Sequence, residues 1–345
     1  MKMINNSKSP ASATLKLIRG DRIGVVIAIV VMCVFLGFAS PFFFTGNNLL
    51  NIGTSISIVG IAAAGAAIVM IGGGIDISIG STVAVTGIVG AVVMSAGGGT
   101  IAGVLATVIA GAVAGLINGV LVTILGVNPL IATLGTLSIF RGLAFVISGG
   151  TAVGVSDSAY LAIGSGKLFG IPNPLIIMIF VFLIVGGMLK WTNIGRNIYA
   201  IGGNMQAAKL SGIRVRRYGI GIYVACGTLA GLSSVVLTAR LGSAQPLAAV
   251  GLELDAIAAV VLGGISLSGG IGSMGGVVLG VLVLGVVNNG LNILQVDSFY
   301  QYIARGGVLL IAVALDQFNI KRRSKAQAGS KRSRELSSAS RAGEP

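Results

Sequence analysis

Histidine is absent from the 345 residues, and only two cysteines and nine acidic residues occur. Without histidine there is no imidazole for general acid–base chemistry or for a zinc site. Cys33 and Cys226 both lie inside apolar runs, which argues against a disulfide framework or a metal-binding thiol set. Charged residues make up 9% of the chain, against about a quarter in soluble domains, so an ordinary soluble fold is excluded.

What is present is apolar. Hydrophobic residues reach 54%, there are 55 glycines, and the mean hydropathy is +0.99. This is the composition of a polytopic membrane protein. A net charge of +14 could signal nucleic acid, but all except four of the 23 Lys and Arg fall in residues 1–22, 190–217 and 319–345, beside apolar spans. That is the positive-inside pattern, so no nucleic-acid partner is expected.

The chain divides into a basic cytoplasmic arm (1–22), a membrane domain (23–318) and a basic tail (319–345). The tail has too little apolar surface to fold alone and is expected to rest on anionic lipid headgroups. Apolar runs begin at Ile23–Phe38 and recur at Ile52–Ile71, Ile77–Ala96, Ile101–Leu125, Leu130–Ile147 and Pro174–Leu189. They continue at Tyr218–Leu241, a short Leu254–Leu267, Met274–Leu294 and Tyr302–Phe318. Most approach the roughly 20 residues that cross a bilayer as a helix. The expected fold is thus an all-α bundle of about ten transmembrane helices. An even count puts all three basic blocks, and both termini, on the cytoplasmic side. Ser148–Asn173 reads as an exterior loop.

Glycine spacing says how the helices pack. Gly111, Gly115 and Gly119 share one face, and Gly227/Gly231 and Gly276/Gly280 repeat the interval, so backbones can approach closely. There is also an internal echo. Gly73-Gly-Ile-Asp-Ile-Ser-Ile-Gly80 matches Gly263-Gly-Ile-Ser-Leu-Ser-Gly-Gly270 at five of eight positions, with both copies facing the same way.

Gly164-Ser-Gly-Lys167 resembles the end of a phosphate-binding loop, but Leu161 stands where the first glycine belongs and Leu168 replaces Ser or Thr. The chain is therefore expected not to hydrolyse ATP itself and to need no cofactor or metal. Asp76 is the one acid placed to serve as an ion relay. Arg141 is expected to snorkel outward, Arg240 to pair with Glu253 or Asp255 at the outer rim, and Asp316 to sit at a cytoplasmic end. Asn118, Asn288, Asn289 and Asn292, with Thr133 and Thr136, could either bind sugar hydroxyls or hydrogen-bond between helices. Asp76 and the four asparagines form the candidate substrate path.

A pore with neither relay nor ATPase needs an external engine, and 190–217 is the candidate docking surface. It holds six basic residues and no acid. Asn204 to Leu210 reads as a short capped helix closed by Gly212. Gly203, Asn204, Ala207, Ala208, Lys209, Ser211 and Gly212 are the candidate coupling residues, with Ala207, Ala208 and Ser211 expected to face the partner.

At these residues the chain resembles the permease subunits of bacterial ABC importers for monosaccharides, most closely the ribose-transporting members. The resemblance runs from about Phe42 to Gln317. It rests on GGIDISIGS (73–81), FRGLAFVISGG (140–150), GRNIYAIGGNMQAAKLSGIRV (195–215), ARLGSAQP (239–246), LELDAIAAVVLGGISLSGG (252–270) and NNGLNILQVDSFYQ (288–301). Galactose, xylose, allose and autoinducer-2 permeases share most of these, but Ser243-Ala-Gln-Pro246 looks ribose-like. The resemblance implies an inner-membrane permease paired with a second copy, fed by a periplasmic sugar-binding protein and driven by a cytoplasmic ABC ATPase subunit. An ion-coupled secondary transporter using Asp76 is the rival.

Overall fold

The computed structural model describes residues 10–297, 299–311 and 313–314, with side-chain surroundings from Ile23 onward. Asp316 and the 319–345 tail lie outside the described residues, as do the first nine residues of the arm.

Helix α1 (Pro10–Ala39) is followed by α2 (Gly46–Ile71), α3 (Ile79–Val93), α4 (Gly99–Thr123) and α5 (Pro129–Ser148). After strand β1 (Val153–Gly154), helix α6 (Ser158–Ser165) and the hairpin β2 (Lys167–Leu168) and β3 (Ile171–Pro172) come α7 (Asn173–Trp191), α8 (Asn193–Gly203) and α9 (Met205–Leu210). The chain continues through α10 (Val215–Leu241), β4 (Ser243–Ala244), α11 (Leu252–Leu262) and α12 (Met274–Ile293), and 299–311 is again helical. Side chains set several starts. Thr45, Asn128, Thr192 and Ser273 each accept a hydrogen bond from a backbone amide two or three residues on, and Pro129 occupies the first turn of α5.

Among the described residues, six helical stretches are long and apolar enough to cross a membrane, with Ile23–Ala39 as a shorter apolar helix. One of the six, Ile79–Thr123, breaks at Gly97 and Gly99, which hold φ +88° and +69°. Its halves fold back on one another: a Cβ on Gly90 would stand 2.9 Å from the carbonyl oxygen of Gly103. It is therefore an antiparallel pair.

Helix α2 is the centre of the bundle. Of its most apolar 18-residue window 83% is buried, whereas the corresponding windows of α5 and α7 are 28% buried and present Ile, Leu and Phe side chains outward. Around it the glycine spacings act as expected. α4 and α10 run antiparallel with backbones in contact, a Cβ on Gly115 lying 2.9 Å from Val224 Cα and one on Gly119 3.0 Å from Ile220 Cα. Gly276 and Gly280 likewise pack against Gly263 and Ala259 of the α11 end.

The expected exterior loop is an ordered cap. β1 pairs antiparallel with β4, and Asp157 caps α6 by accepting from the amides of Ala159 and Tyr160. Tyr160 is fully buried, and a Cβ on Gly164 would stand 2.5 Å from Ala239 C, fixing α6 to the end of α10. The short run at 254–267 is only half helix: α11 ends at Leu262, and 263–273 is non-helical backbone.

Candidate functional site

The basic loop folds as two short helices. Asn204 Oδ1 accepts from the Ala207 amide at 2.9 Å, and Gly212, at φ +81°, closes α9 as the Ile213 amide reaches back to Ala208 O at 3.1 Å. The expected capped helix is present, but its faces differ from expectation. Ala208 is 4% exposed and turns into the chain itself, whereas Ala207, Lys209 and Ser211 are exposed, the Ser211 hydroxyl donating to Ala207 O. The outer face also carries Met205 and Leu210, the latter 89% exposed. Gly203 is exposed, with open space where a Cβ would be.

At the end of α8 five glycines meet. The Gly270 amide donates to Ile71 O at 2.8 Å, and a Cβ on Gly270 would stand 2.6 Å from Gly203 Cα. One on Gly269 would be 2.8 Å from Gly73 Cα and 2.9 Å from Gly202 O. Tyr199 adds a side-chain tie, its hydroxyl donating to Gly272 O at 2.9 Å. The end of α8 thus rests on both members of the internal echo.

That echo is structural, with its register refined by one residue. Gly72-Gly73 closes α2 as Gly263-Gly264 closes α11, with φ of +83° at Gly73 and +81° at Gly264 and matching backbone bonds. Gly74 is then an extra residue in the first copy. Beyond it the original pairing holds, because the Ser78 amide donates to Asp76 Oδ1 at 2.8 Å and the Ser268 amide to Ser266 Oγ at 3.2 Å, the same turn twice.

Asp76 is 4% exposed, with no Lys or Arg bonded to it among the described residues. Its carboxylate accepts from the Ser78 amide and, at 2.7 Å, the Ser78 hydroxyl, and from Asn118 Nδ2 at 3.3 Å. Asn118 also donates to Ser78 Oγ at 2.8 Å and accepts from the Thr136 hydroxyl at 2.7 Å. Tyr223 closes the cluster by donating to Ile75 O at 3.2 Å. The network ties the 72–78 loop to α4, α5 and α10. Sequence reading found Asp76 and Asn118 and missed Ser78 and Tyr223; the Asp-x-Ser spacing after glycine is the signal for the first.

The remaining asparagines are elsewhere. Asn289 exchanges two side-chain hydrogen bonds with Asn48, at 2.7 and 3.1 Å, and Asn292 Oδ1 accepts from Gln301 at 3.0 Å. Asn288 is half-buried beside them. Asn48 lies in the first turn of α2 and the Asp76 loop follows its last, about 35 Å along the helix at 1.5 Å per residue. The five expected path residues therefore form two groups. The pairing at the rim also differs from expectation: Arg240 donates to Ser55 Oγ at 3.3 Å, and Asp255 faces Arg305 at 3.8 Å. Arg141 is held by the carbonyls of Pro246 and Ala248 at 2.7 and 2.8 Å, so it straps the chain after β4 instead of snorkelling freely.

Residues 48–313 match the model of the family described as branched-chain amino acid transport system / permease component. The chain belongs to this family. It is 44% identical to the ribose import permease protein RbsC of Escherichia coli K12, over 84% of this chain and 92% of that one. RbsC of Bacillus subtilis 168 is 43% identical over 86% and 93% of the two chains. The L-arabinose transport system permease protein AraH of Escherichia coli K12 is 40% identical over 87% and 92%. No solved structure matches. The chain is accordingly a multi-helix membrane permease of this family, and α1, α5 and α7 present apolar outer surfaces.

Proposed function

We propose that the chain is the permease subunit of an ATP-driven importer for a pentose, with ribose as the first substrate. What supports this reading most is the junction of α8 with the two glycine loops. The end of α8, from which the exposed, capped helix α9 continues, rests on the loop that carries the buried Asp76–Asn118 polar network, as a device driven from outside requires. The loop at 190–217 is the cytoplasmic docking surface for a separate ATPase subunit, and Gly203, Asn204, Ala207, Lys209, Ser211 and Gly212 belong to the docking helix and its ends. Ten crossings with both termini cytoplasmic follow if α3 and α4 count as two, α11 with its glycine loop as one, and the helix from 299 as the last. The chain works as a pair and alternates access between the two sides.

A binding protein delivers the sugar at the opposite face. A polar pocket of about 430 Å³ there is lined by Asn47, Asn51, Thr54, Lys167 and Arg240, offering cations and carboxamides to an acidic or hydroxyl-rich surface. Asp76 and Asn118 serve the inner part of the route; Asn288, Asn289 and Asn292 lie near its other end.

Ribose and L-arabinose are the substrates in the names of the relatives, and arabinose is not among the sugars the motifs suggest. Ser243-Ala-Gln-Pro246 favours ribose. The test is uptake of labelled ribose and arabinose into vesicles holding the chain, its ATPase and its binding protein. ATP-dependent ribose uptake is expected. Uptake that ignores ATP and follows a proton gradient would establish the ion-coupled rival.

A further inference from the structure

Two clefts flank the start of α10 on the basic-loop side, of about 650 and 660 Å³. They share Arg214 and Arg217, and between them Ile198, Ile213, Tyr218 and Ile222 line both. The first runs up to Val122 and Pro129, at the junction of α4 and α5, and adds Lys209 and Arg216 at its edge. The second runs up to Ile68, Met188 and Ala225 on α2, α7 and α10. Among the described residues, no acidic one lines either cleft.

Two apolar troughs diverging from a shared pair of exposed arginines have the form of a ligand with one anionic head and two hydrocarbon chains. We propose that Arg214 and Arg217 bind the phosphate of an anionic phospholipid whose acyl chains enter the two clefts. The arginines stand just where the long apolar helix α10 begins, the depth at which headgroups lie. Guanidinium groups match phosphate with paired donors, and no carboxylate competes for them. A peptide in the same troughs would leave backbone N–H and C=O groups facing Ile and Val without partners, which is costly. A free phosphate would use the arginines and leave the apolar walls unfilled. The proposal rests on this face being the cytoplasmic one, but its test needs neither transport nor the ATPase.

The full-length chain is placed in nanodiscs of equimolar phosphatidylcholine and phosphatidylglycerol, and the lipid it keeps on release is read by native mass spectrometry. Wild type should retain phosphatidylglycerol in preference to phosphatidylcholine. The double variant Arg214→Gln/Arg217→Gln should retain it about thirty-fold less well. Lys190→Gln/Arg196→Gln, an equal loss of charge on the same loop outside both clefts, should bind like wild type. Ile213→Trp, which fills the clefts with both arginines intact, should lose the lipid as the arginine variant does. Equal retention of the two lipids, or an equal loss in the control variant, would overturn the site. So would displacement of the lipid by inorganic phosphate, which would assign the arginines to a free anion. Undiminished retention by the arginine variant would overturn the site as well. Size-exclusion profiles identify any variant that fails to fold, and the arginine pair, exposed in the structure, carries the decision if Ile213→Trp does.

Discussion

Gly202 and Gly270 meet backbone to backbone: a Cβ on Gly202 would stand 2.6 Å from the Gly270 amide nitrogen and would collide with Ile71 O. Gly203, the next residue, has open space at the same position, which supplies a matched control. Gly202→Ala should therefore cost about 1–3 kcal/mol of stability, in the range of overpacking and backbone strain. If the junction transmits movement from α9, the same change should lower sugar-stimulated ATP hydrolysis by the assembled complex far more than basal hydrolysis. Gly203→Ala should resemble wild type in both assays. Identical thermal unfolding and coupling for the two alanine variants would show that the junction is neither tight nor used.

The Asn118 side chain serves three partners, Asp76, Ser78 and Thr136. Truncation to alanine leaves buried polar atoms without partners, at about 1–3 kcal/mol each. Asn118→Ala should thus lower the unfolding temperature clearly, whereas Thr136→Val, which removes a single donor at the edge of the network, should lower it less. The reverse order would mean that water or another group satisfies the cluster.

Asp76→Asn separates the two transport readings. The new carboxamide keeps an oxygen for the Ser78 amide and hydroxyl, so the turn survives. In an importer driven by a separate ATPase, most ATP-dependent uptake should remain. Abolition of uptake in a variant that still unfolds at the wild-type temperature would make the carboxylate an ion relay and count against the ATP-driven mechanism.

The bundle was legible in the sequence wherever an apolar run had a distinct end. Glycine spacing marked the close-packing faces of α4, α10 and α12, though not which helix each would meet, because only glycine allows backbones so close and the spacing that places it on one face is local. The echo at 73–80 and 263–270 was legible too, but not its register, since the extra Gly74 shows only where backbone φ marks the caps. Helix α6 was hidden: its stability comes from Tyr160 and Gly164 packing on α10, a long-range contact that no local pattern carries. The asparagines were misgrouped for the same reason. Asn118 and Asn289 look alike in a linear reading, and only the length of α2 between their partners separates them.

Helix α9 carries the most discriminating prediction. Small residues at 207, 208 and 211 suggested a face that enters a partner, yet Ala208 is buried against the chain's own body while Leu210 stands 89% exposed and Met205 56% exposed. Ala207 and Leu210 are three apart and share the outer face. Burying a leucine that is otherwise in water is worth about 1.5–3 kcal/mol, or about ten- to a hundred-fold in affinity. Leu210→Asp should therefore weaken capture of the ATPase by about that factor, and Ala207→Arg should do the same, with thermal unfolding of the permease unchanged in both. Ala208→Arg should behave differently: it forces a guanidinium into a closed space, so its first effect is a lower unfolding temperature. Arg217→Ala, one charge on an exposed rim, should cost little ATPase binding and reduce its sensitivity to salt. If Leu210→Asp and Ala207→Arg captured the ATPase as wild type does while Ala208→Arg alone lost it at an unaltered unfolding temperature, the partner would have to reach the inner face, and α9 would have to lift away from the bundle to bind.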